Sequence, residues 1–477
     1  MKNNYYVLGI DEAGYGPDIG PLVITSSLFR LSEKYHQQKF WKALSEIISK
    51  KIDSFPDKII VSDSKYLFKN YPKNYLIGEI TVLCFYYLLH SIPLNFKEFL
   101  QYILLNDLVN FQKRCRTFSK WTYKMCWGNI NSNNNDYSIS DGVNNGNSKR
   151  IIKSGDISIS NINDNRSNKS YNFFTKYPLN SKNLDPSPFI NNLFPKLKRI
   201  MKGSGIDLID IKSIILCPLL YNESIEKGGK LFLNYLQFER LIKSALKSIL
   251  IEKIPVKIKK ETENLEKKYK KVTRNFKKNK KKNSRSSIFI IADKLGSTKN
   301  YINYFNKGFI RNFKIKTLEQ NRSISSYNIS NLKTKVLLQN NVISSYELSK
   351  FNAKVLRNNR NISNYRISKD SKLSYDLLNN LDKILENLEM KISFIKEGDK
   401  THFPIAFSSI FSKYIRERFI KNINMFFTDK ISNLKVTKGY AYKLEEFIKV
   451  TERARKKYNI NINCFLRKRD GLLKLFD

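Results

Sequence analysis

Residues 5–29 hold two apolar runs, YYVLGI (5–10) and PLVITSSLF (21–29), joined by a loop that carries Gly14, Gly16 and Gly20. Runs this short, rich in β-branched and aromatic residues and separated by glycine and proline, are consecutive strands. SIFIIAD (287–293) is a near-continuous apolar run, the pattern of a strand buried on both faces. KISFIKEGD (391–399) is a further strand, and KIIVSDSK (58–65) has the look of a third one early in the chain. Helical spacing of apolar residues occupies 32–51, 73–91, about 230–252, the stretch after Pro404, and about 443–457. Strands interleaved with helices imply an α/β fold: a mixed β-sheet whose first strands form an antiparallel meander, flanked by helices, with a helical C-terminal extension.

Low-complexity segments interrupt this pattern. From Asn129 to about Ser187 the chain is Asn, Ser, Asp and Lys with few apolar anchors, too little to offset the entropy of ordering. Residues 257–285 are a lysine-rich bridge, read equally as a solvated linker or as a phosphate-binding arm. ISSYNIS, ISSYELS and ISNYRIS begin at Ile324, Ile343 and Ile362, a tandem repeat of 19 residues. Three copies this small do not make a solenoid, and the third is expected to supply a core strand while its duplicates bulge outward. The expected organisation is thus an N-terminal part of the core (1–128), an insertion (129–190), a core continuation (191–256) and the basic linker (257–285). The rest of the core (286–430, with the repeat inserted at about 321–360) and the C-terminal extension (431–477) follow.

The 477 residues include 86 Lys and Arg against 42 Asp and Glu, a formal net charge of +44. Such a chain attracts polyanions, of which nucleic acid is the commonest. An apolar fraction of 41% suffices for a real core. The five cysteines, Cys84, Cys115, Cys126, Cys217 and Cys464, are far apart in sequence without a CxxC pair, which argues against zinc ribbons and disulfide frameworks. Strand-like residues begin almost at once, leaving no room for a signal peptide. The apolar stretch from Ile80 to Leu94 is interrupted by His90 and Pro93 and reads as a buried helix, not a membrane span. The expectation is a soluble, intracellular, cytoplasmic monomer.

Three of the strand candidates end in carboxylates: Asp11 with Glu12, Asp293, and Asp399. Strand ends can converge at one edge of a sheet, where four carboxylates would repel strongly unless hard cations sat between them. That is the requirement of two-metal phosphodiester hydrolysis, with Mg²⁺ or Mn²⁺ ions held about 3.5–4 Å apart. Neighbouring strand residues point to opposite faces, so Asp11 and Glu12 share a site only if the strand ends there, a break that Gly14 and Gly16 offer. With only three histidines, His36, His90 and His402, histidine or zinc chemistry has little material. His402, three residues past Asp399, is within reach of a proton-transfer role, though a surface histidine is the plainer reading.

Five stretches, in order, carry a family resemblance. GIDEAGYGPDIGPLVI (9–24) resembles the opening motif GIDEAGRGPxxGPVV of the type 2 ribonucleases H (ribonuclease HII). VSDSKYL (61–67) is similar to that family's DSKKL segment, and FIIADKLG to the strand with its third acid. KEGDKTHFPIAFSSIFSKYIRERF is similar to its KGDxxxPxIAAASIxAKxxRD stretch, and TKGYAYKLEEF (437–447) to its late KGY segment. The likeness spans 5–70, 287–320 and 361–450.

The resemblance implies a ribonuclease H-like fold and hydrolysis of the RNA strand of RNA–DNA hybrids, leaving a 3′-hydroxyl and a 5′-phosphate. It makes Asp11, Glu12, Asp293 and Asp399 the catalytic, metal-binding acids. Glu397 is held in reserve for Asp399, two residues away on the same face of the same strand. Lys65 would sit near the substrate phosphates, Tyr440 near the sugar at the junction, and the Gly14-Tyr15-Gly16 loop against the ribose. The chain departs from the family where Gly-Arg-Gly becomes Gly14-Tyr15-Gly16 and AAAS becomes Ala406-Phe407-Ser408-Ser409. Arg-Asp becomes Arg416-Glu417, and the histidine expected after KGY is absent. Two alternatives stay open: a related nuclease with another nucleic-acid substrate, or a non-catalytic nucleic-acid-binding protein on the same fold.

Overall fold

The computed structural model describes residues 4–32, 40–69, 73–93, 95–127, 187–226, 228–253, 286–295, 298, 300–330, 388–439 and 444–468. The strands are β1 (Asn4–Ala13), β2 (Leu22–Leu31), β3 (Ile48–Ser49), β4 (Ile59–Ile60), β5 (Ile206–Leu216), β6 (Ser286–Asp293), β7 (Lys314–Gln320), β8 (Ile324–Ser330) and β9 (Leu388–Ile395). Seven of them form one sheet in the order β5-β2-β1-β6-β9-β8-β7. The β5-β2-β1 and β9-β8-β7 thirds are antiparallel, whereas β1, β6 and β9 run parallel. The architecture is therefore a mixed α/β sheet flanked by helices, and the expected meander at its start is present.

Both faces of the sheet are covered, which explains the unbroken apolar runs. On one face Val7, Val23 and Phe29 pack under the helices Lys73–Tyr86, Ser187–Gly203 and Phe403–Thr428. On the other, Tyr6, Leu8, Ile10 and Ile24 pack against the helix Gly229–Lys253. Burying each large side chain contributes roughly 1.5–3 kcal/mol, and the alternation along β1 divides that gain between two cores.

The Phe403–Thr428 helix approaches β1 so closely that a Cβ on Gly9 would lie 2.2 Å from the Pro404 carbonyl oxygen. Small hydroxyls fill the remaining space: Ser408 Oγ donates to Gly9 O at 3.0 Å, and Ser27 Oγ donates to Pro404 O at 3.1 Å. Phe407 turns away from this seam to meet Phe29 and Phe85, with ring centroids 5.6 and 4.6 Å away. A third core joins the C-terminal helix Leu444–Lys457 to the helix Lys120–Trp127 and the far end of Phe403–Thr428.

Several expectations are corrected. The 32–51 stretch is not one long helix: a turn of helix, Phe40–Ala43, is followed by β3. Residues 58–65 are not a strand of the main sheet, since β4 is two residues long and pairs with β3 in a separate ribbon. The third strand of the meander is β5. The first copy of the repeat supplies a core strand: Ile324–Ser330 is β8, between β9 and β7. Only Asn321–Ser323 separate it from β7, and the Asn321 side chain accepts from the N–H groups of Ser323 and Ile324. The nearest copy closes the shortest loop, at the lowest entropic cost. The other two copies, the 129–186 insertion and the basic linker lie outside the described residues. Among those residues no helix is long and apolar enough to cross a membrane.

Candidate active site

Parallel β1, β6 and β9 place their C-terminal ends along one rim of the sheet, where open α/β sheets hold their ligands. β1 pairs with β6 only as far as Ile10 and Ala292, but with β2 as far as Ala13 and Val23. Beyond Ile10 the strand is thus free on its β6 side, and Asp11 and Glu12 stand at that opening. The strand does not end there, as expected from sequence, but runs on through Ala13. The two carboxylates reach the rim from opposite faces. Asp11 is buried beside Ser409 of the Phe403–Thr428 helix, and Glu12 lies on the side of Tyr15 and Tyr301.

Asp293 is the last residue of β6, as its sequence pattern implied. Asp399 does not end a strand: β9 stops at Ile395, and Asp399 sits in the short helix Gly398–Thr401 that follows. Gly398 N–H donates to Asp293 Oδ1 at 2.9 Å and so brings that turn to the rim. Glu397 fails as a substitute. It adopts φ 54°, ψ 40° and is exposed, with its carboxylate on Lys400 Nζ at 2.6 Å.

The four acids share one electrostatic environment. Burial, then repulsion from Glu12 and Asp293, holds the Asp11 carboxyl well above the usual carboxylate range. Burial and repulsion from Asp293 push Glu12 up to about 8. Burial also raises Asp293 and Asp399, against the opposing positive charge of Lys65. The exposed Lys65 follows Asp63, whose carboxylate caps the helix Ser64–Leu67 by accepting from Lys65 N–H at 2.8 Å. Asp63, which the sequence reading passed over, adds a further negative charge near Asp399.

Among the described residues no group of three or more His, Cys, Asp or Glu side chains closes into a ready metal cage. The donor set nevertheless fits hard divalent cations in kind: all donors are carboxylates, their charges repel, and the buried Glu12 Oε2 has no hydrogen-bond partner. An added cation would relieve all of these at once. His402 closes the Gly398–Thr401 turn by donating its N–H to Gly398 O at 2.8 Å. Burial holds its imidazole below the ordinary value.

Sequence reasoning missed the structure that holds the Gly14–Gly20 loop. Gly14 and Gly20 have φ of +94° and +81°, the left-handed region that favours glycine. Two buried arginines lie beneath. Arg416 Nη2 donates to Ile19 O at 3.1 Å and to Lys438 O at 3.3 Å. Arg467 Nε donates to Gly20 O at 2.8 Å, and its Nη1 donates to Gly14 O. Arg467 lies in the basic run Arg467-Lys468-Arg469, where no local sequence signal marks a residue as buried. Asp18 N–H donates to Gly439 O at 2.7 Å, which docks the late KGY segment on the loop, although Tyr440 itself lies outside the described residues. Tyr15 stays partly exposed, with Lys230 Nζ 4.1 Å above its ring.

No known protein family and no curated protein matches this chain. Its function must be read from the site itself.

Proposed function

We propose that this chain is a divergent ribonuclease HII with a ribonuclease H-like fold, a metal-dependent endonuclease that hydrolyses the RNA strand of RNA–DNA hybrids. The observation that carries the reading is the gathering of Asp11 and Glu12 near the end of β1, Asp293 at the end of β6 and Asp399 in the turn after β9 at one rim of the sheet. Supporting it are the ordered motif likeness and the net charge of +44, which suits a polyanionic substrate.

The four carboxylates would hold Mg²⁺ or Mn²⁺, which when bound activates water and stabilises charge on the phosphodiester. The protein's own residues do the rest. Ser412 Oγ, donating to Asp11 O at 3.0 Å, and Gly398 N–H, donating to Asp293, fix the two strands that carry the acids. Lys65 supplies positive charge beside the acids, placed for a substrate phosphate. The two glycines of the Gly14–Gly16 stretch let a nucleic-acid backbone approach, and the amides of that stretch would donate to a ribose 2′-hydroxyl. Tyr15 offers a ring and one hydroxyl where the family has a forked cation.

The test is to incubate end-labelled duplexes with Mg²⁺ or Mn²⁺: an RNA–DNA hybrid, a DNA duplex with one embedded ribonucleotide, and plain DNA. Cleavage of the ribonucleotide-containing strands only, abolished by EDTA, is expected. Cleavage of plain DNA would favour the related-nuclease alternative, and binding without cleavage the non-catalytic one.

A further inference from the structure

The acid that lies off its strand is held by a segment far away in the chain. Asp399 sits in the one-turn helix Gly398–Thr401, and the last carbonyls of a helix have no partner inside it. Two side chains from the segment between β2 and the helix Ser64–Leu67 supply donors to them. Trp41 Nε1 donates to Thr401 O at 3.1 Å, and Lys50 Nζ donates to Lys400 O at 2.9 Å. We propose that Trp41 and Lys50 are positioning residues, a clamp that holds the Asp399 turn where its carboxylate can share a cation with the other acids. That purpose rests on the nuclease reading; the clamp itself does not.

The two donors are built into one unit. Trp41, in the helical turn Phe40–Ala43, meets the buried Phe403 ring edge-on with centroids 5.2 Å apart, and Phe40 stacks on the same ring at 5.4 Å. Phe403 opens the helix that follows the Asp399 turn, so the indole is seated at the exit of that turn. Lys50 follows β3 directly, and its Nζ lies 4.3 Å above the Trp41 ring. A cation over an indole face is itself attracted, so each donor steadies the other. The β3–β4 ribbon gains a purpose from this. Ser49 O accepts from Val61 N–H at 2.9 Å, and Asp63, Ser64 and Lys65 follow at once. One small ribbon thus ties the Lys65 charge to the turn that carries Asp399.

The turn is held at both ends. Its start is fixed by the Gly398 N–H bond to Asp293 Oδ1, and its end by Trp41 and Lys50. Without those two donors the end is free to swing while the start stays. Removal of partners that orient metal ligands costs about 10–100-fold in metal affinity. Lys50 is also exposed and basic, so direct contact with a substrate phosphate is the rival role. The two roles differ in what they move: a phosphate contact sets hybrid affinity, whereas a clamp sets cation affinity.

Full-length wild type, Trp41→Phe, Lys50→Met and Lys50→Arg should be compared by calorimetric Mn²⁺ titration, by hybrid binding and, free of metal, by hydrogen exchange across 398–402. Phenylalanine keeps a ring against Phe403 and methionine keeps the stem, but both lose the donor. Both variants should bind Mn²⁺ about tenfold or more weakly, with hybrid affinity nearly unchanged. Both should also exchange faster at the His402 amide, whose bond to Gly398 O at 2.8 Å closes the turn. Lys50→Arg, which keeps charge and donor, should stay close to wild type. Should Trp41→Phe not fold, the Lys50 pair carries the test. Unchanged exchange in Lys50→Met would overturn the clamp. Hybrid affinity lost in Lys50→Met, with Mn²⁺ affinity intact, would assign Lys50 to phosphate instead. A wild type that binds no Mn²⁺ would sink the nuclease reading, and hydrogen exchange would then decide the clamp alone.

Discussion

The Gly398 N–H donates to Asp293 Oδ1 at 2.9 Å, joining the turn after β9 to the last residue of β6. One acid is thus oriented by the backbone, while Glu12 keeps a buried oxygen without a partner. The four acids are therefore unequal before any cation arrives. Asp11, held well above the usual carboxylate range, and Glu12, pushed up to about 8, both resist ionisation.

The unequal titration predicts a pH dependence for the metal-free protein. Glu12 is raised from 4.5 to about 8, so the fold holds a proton that unfolding releases. Its stabilising contribution is complete below the unfolded value and is lost as pH climbs towards the folded one. Urea denaturation in EDTA should give lower stability at pH 8 than at pH 5, by about 1 kcal/mol or more, with Glu12→Gln removing much of the difference. The raised Asp11 and Asp293 carry the remainder. Equal stability at both pH values for wild type would contradict this ionisation pattern.

Gly9→Ala should be costly despite the small change. Its Cβ would meet the Pro404 carbonyl oxygen at 2.2 Å, backbone against backbone, in the seam that seats the Phe403–Thr428 helix on β1. Overpacking of this kind costs about 1–3 kcal/mol or more, a clear fall in Tm. At Gly203, where nothing lies within 4 Å of an added Cβ, alanine should leave Tm nearly unchanged. If the two variants melt alike, the close approach of helix to strand is wrong.

Arg467→Met should loosen the Gly14–Gly20 loop. It leaves Gly14 O and Gly20 O without their donor, at about 1–3 kcal/mol for each buried acceptor. Because the loop follows directly on Asp11 and Glu12, the cleavage rate should fall further than hybrid affinity does. Chemical denaturation with single-turnover kinetics reads both effects. A variant with unchanged stability and rate would remove Arg467 from the support of the site.

Tyr15→Arg should restore a forked cation to the loop that faces the ribose in the family. The rate on a duplex with one embedded ribonucleotide should rise severalfold relative to the rate on a continuous hybrid. Lys230, 4.1 Å from the Tyr15 ring, would oppose a second positive charge, so the gain should be larger at high salt. An unmoved ratio would mean that the loop serves only to aim Asp11 and Glu12.

The parts legible in the sequence were those written locally. The strand pattern of β1, β2 and β6, the helix opened by Pro404 and Asp293 at the end of β6 all follow from short-range periodicity. What stayed hidden depends on partners distant in the chain. Asp399 moved off its strand because β9 stops at Ile395 and Glu397 takes a left-handed conformation, which no run of residues announces. Ser408 and Ser409 stand out in sequence only as a departure from AAAS, yet with Ser412 they form the seam against Gly9, Ser64 and Asp11. The buried Arg467 is a tertiary fact, invisible to spacing.

The most direct measurement is single-turnover cleavage of a labelled hybrid, paired with hybrid binding, for Asp11→Asn, Asp293→Asn and Asp399→Asn. Under the proposed function the acids bind metal and act on the reaction, while affinity comes mostly from the lysines. Each variant should lose about 10²–10⁴-fold in rate, the several kcal/mol that a bound cation supplies, with hybrid affinity nearly intact. Near-normal turnover of any one of them at saturating Mg²⁺ would take that residue out of the site and contradict the account.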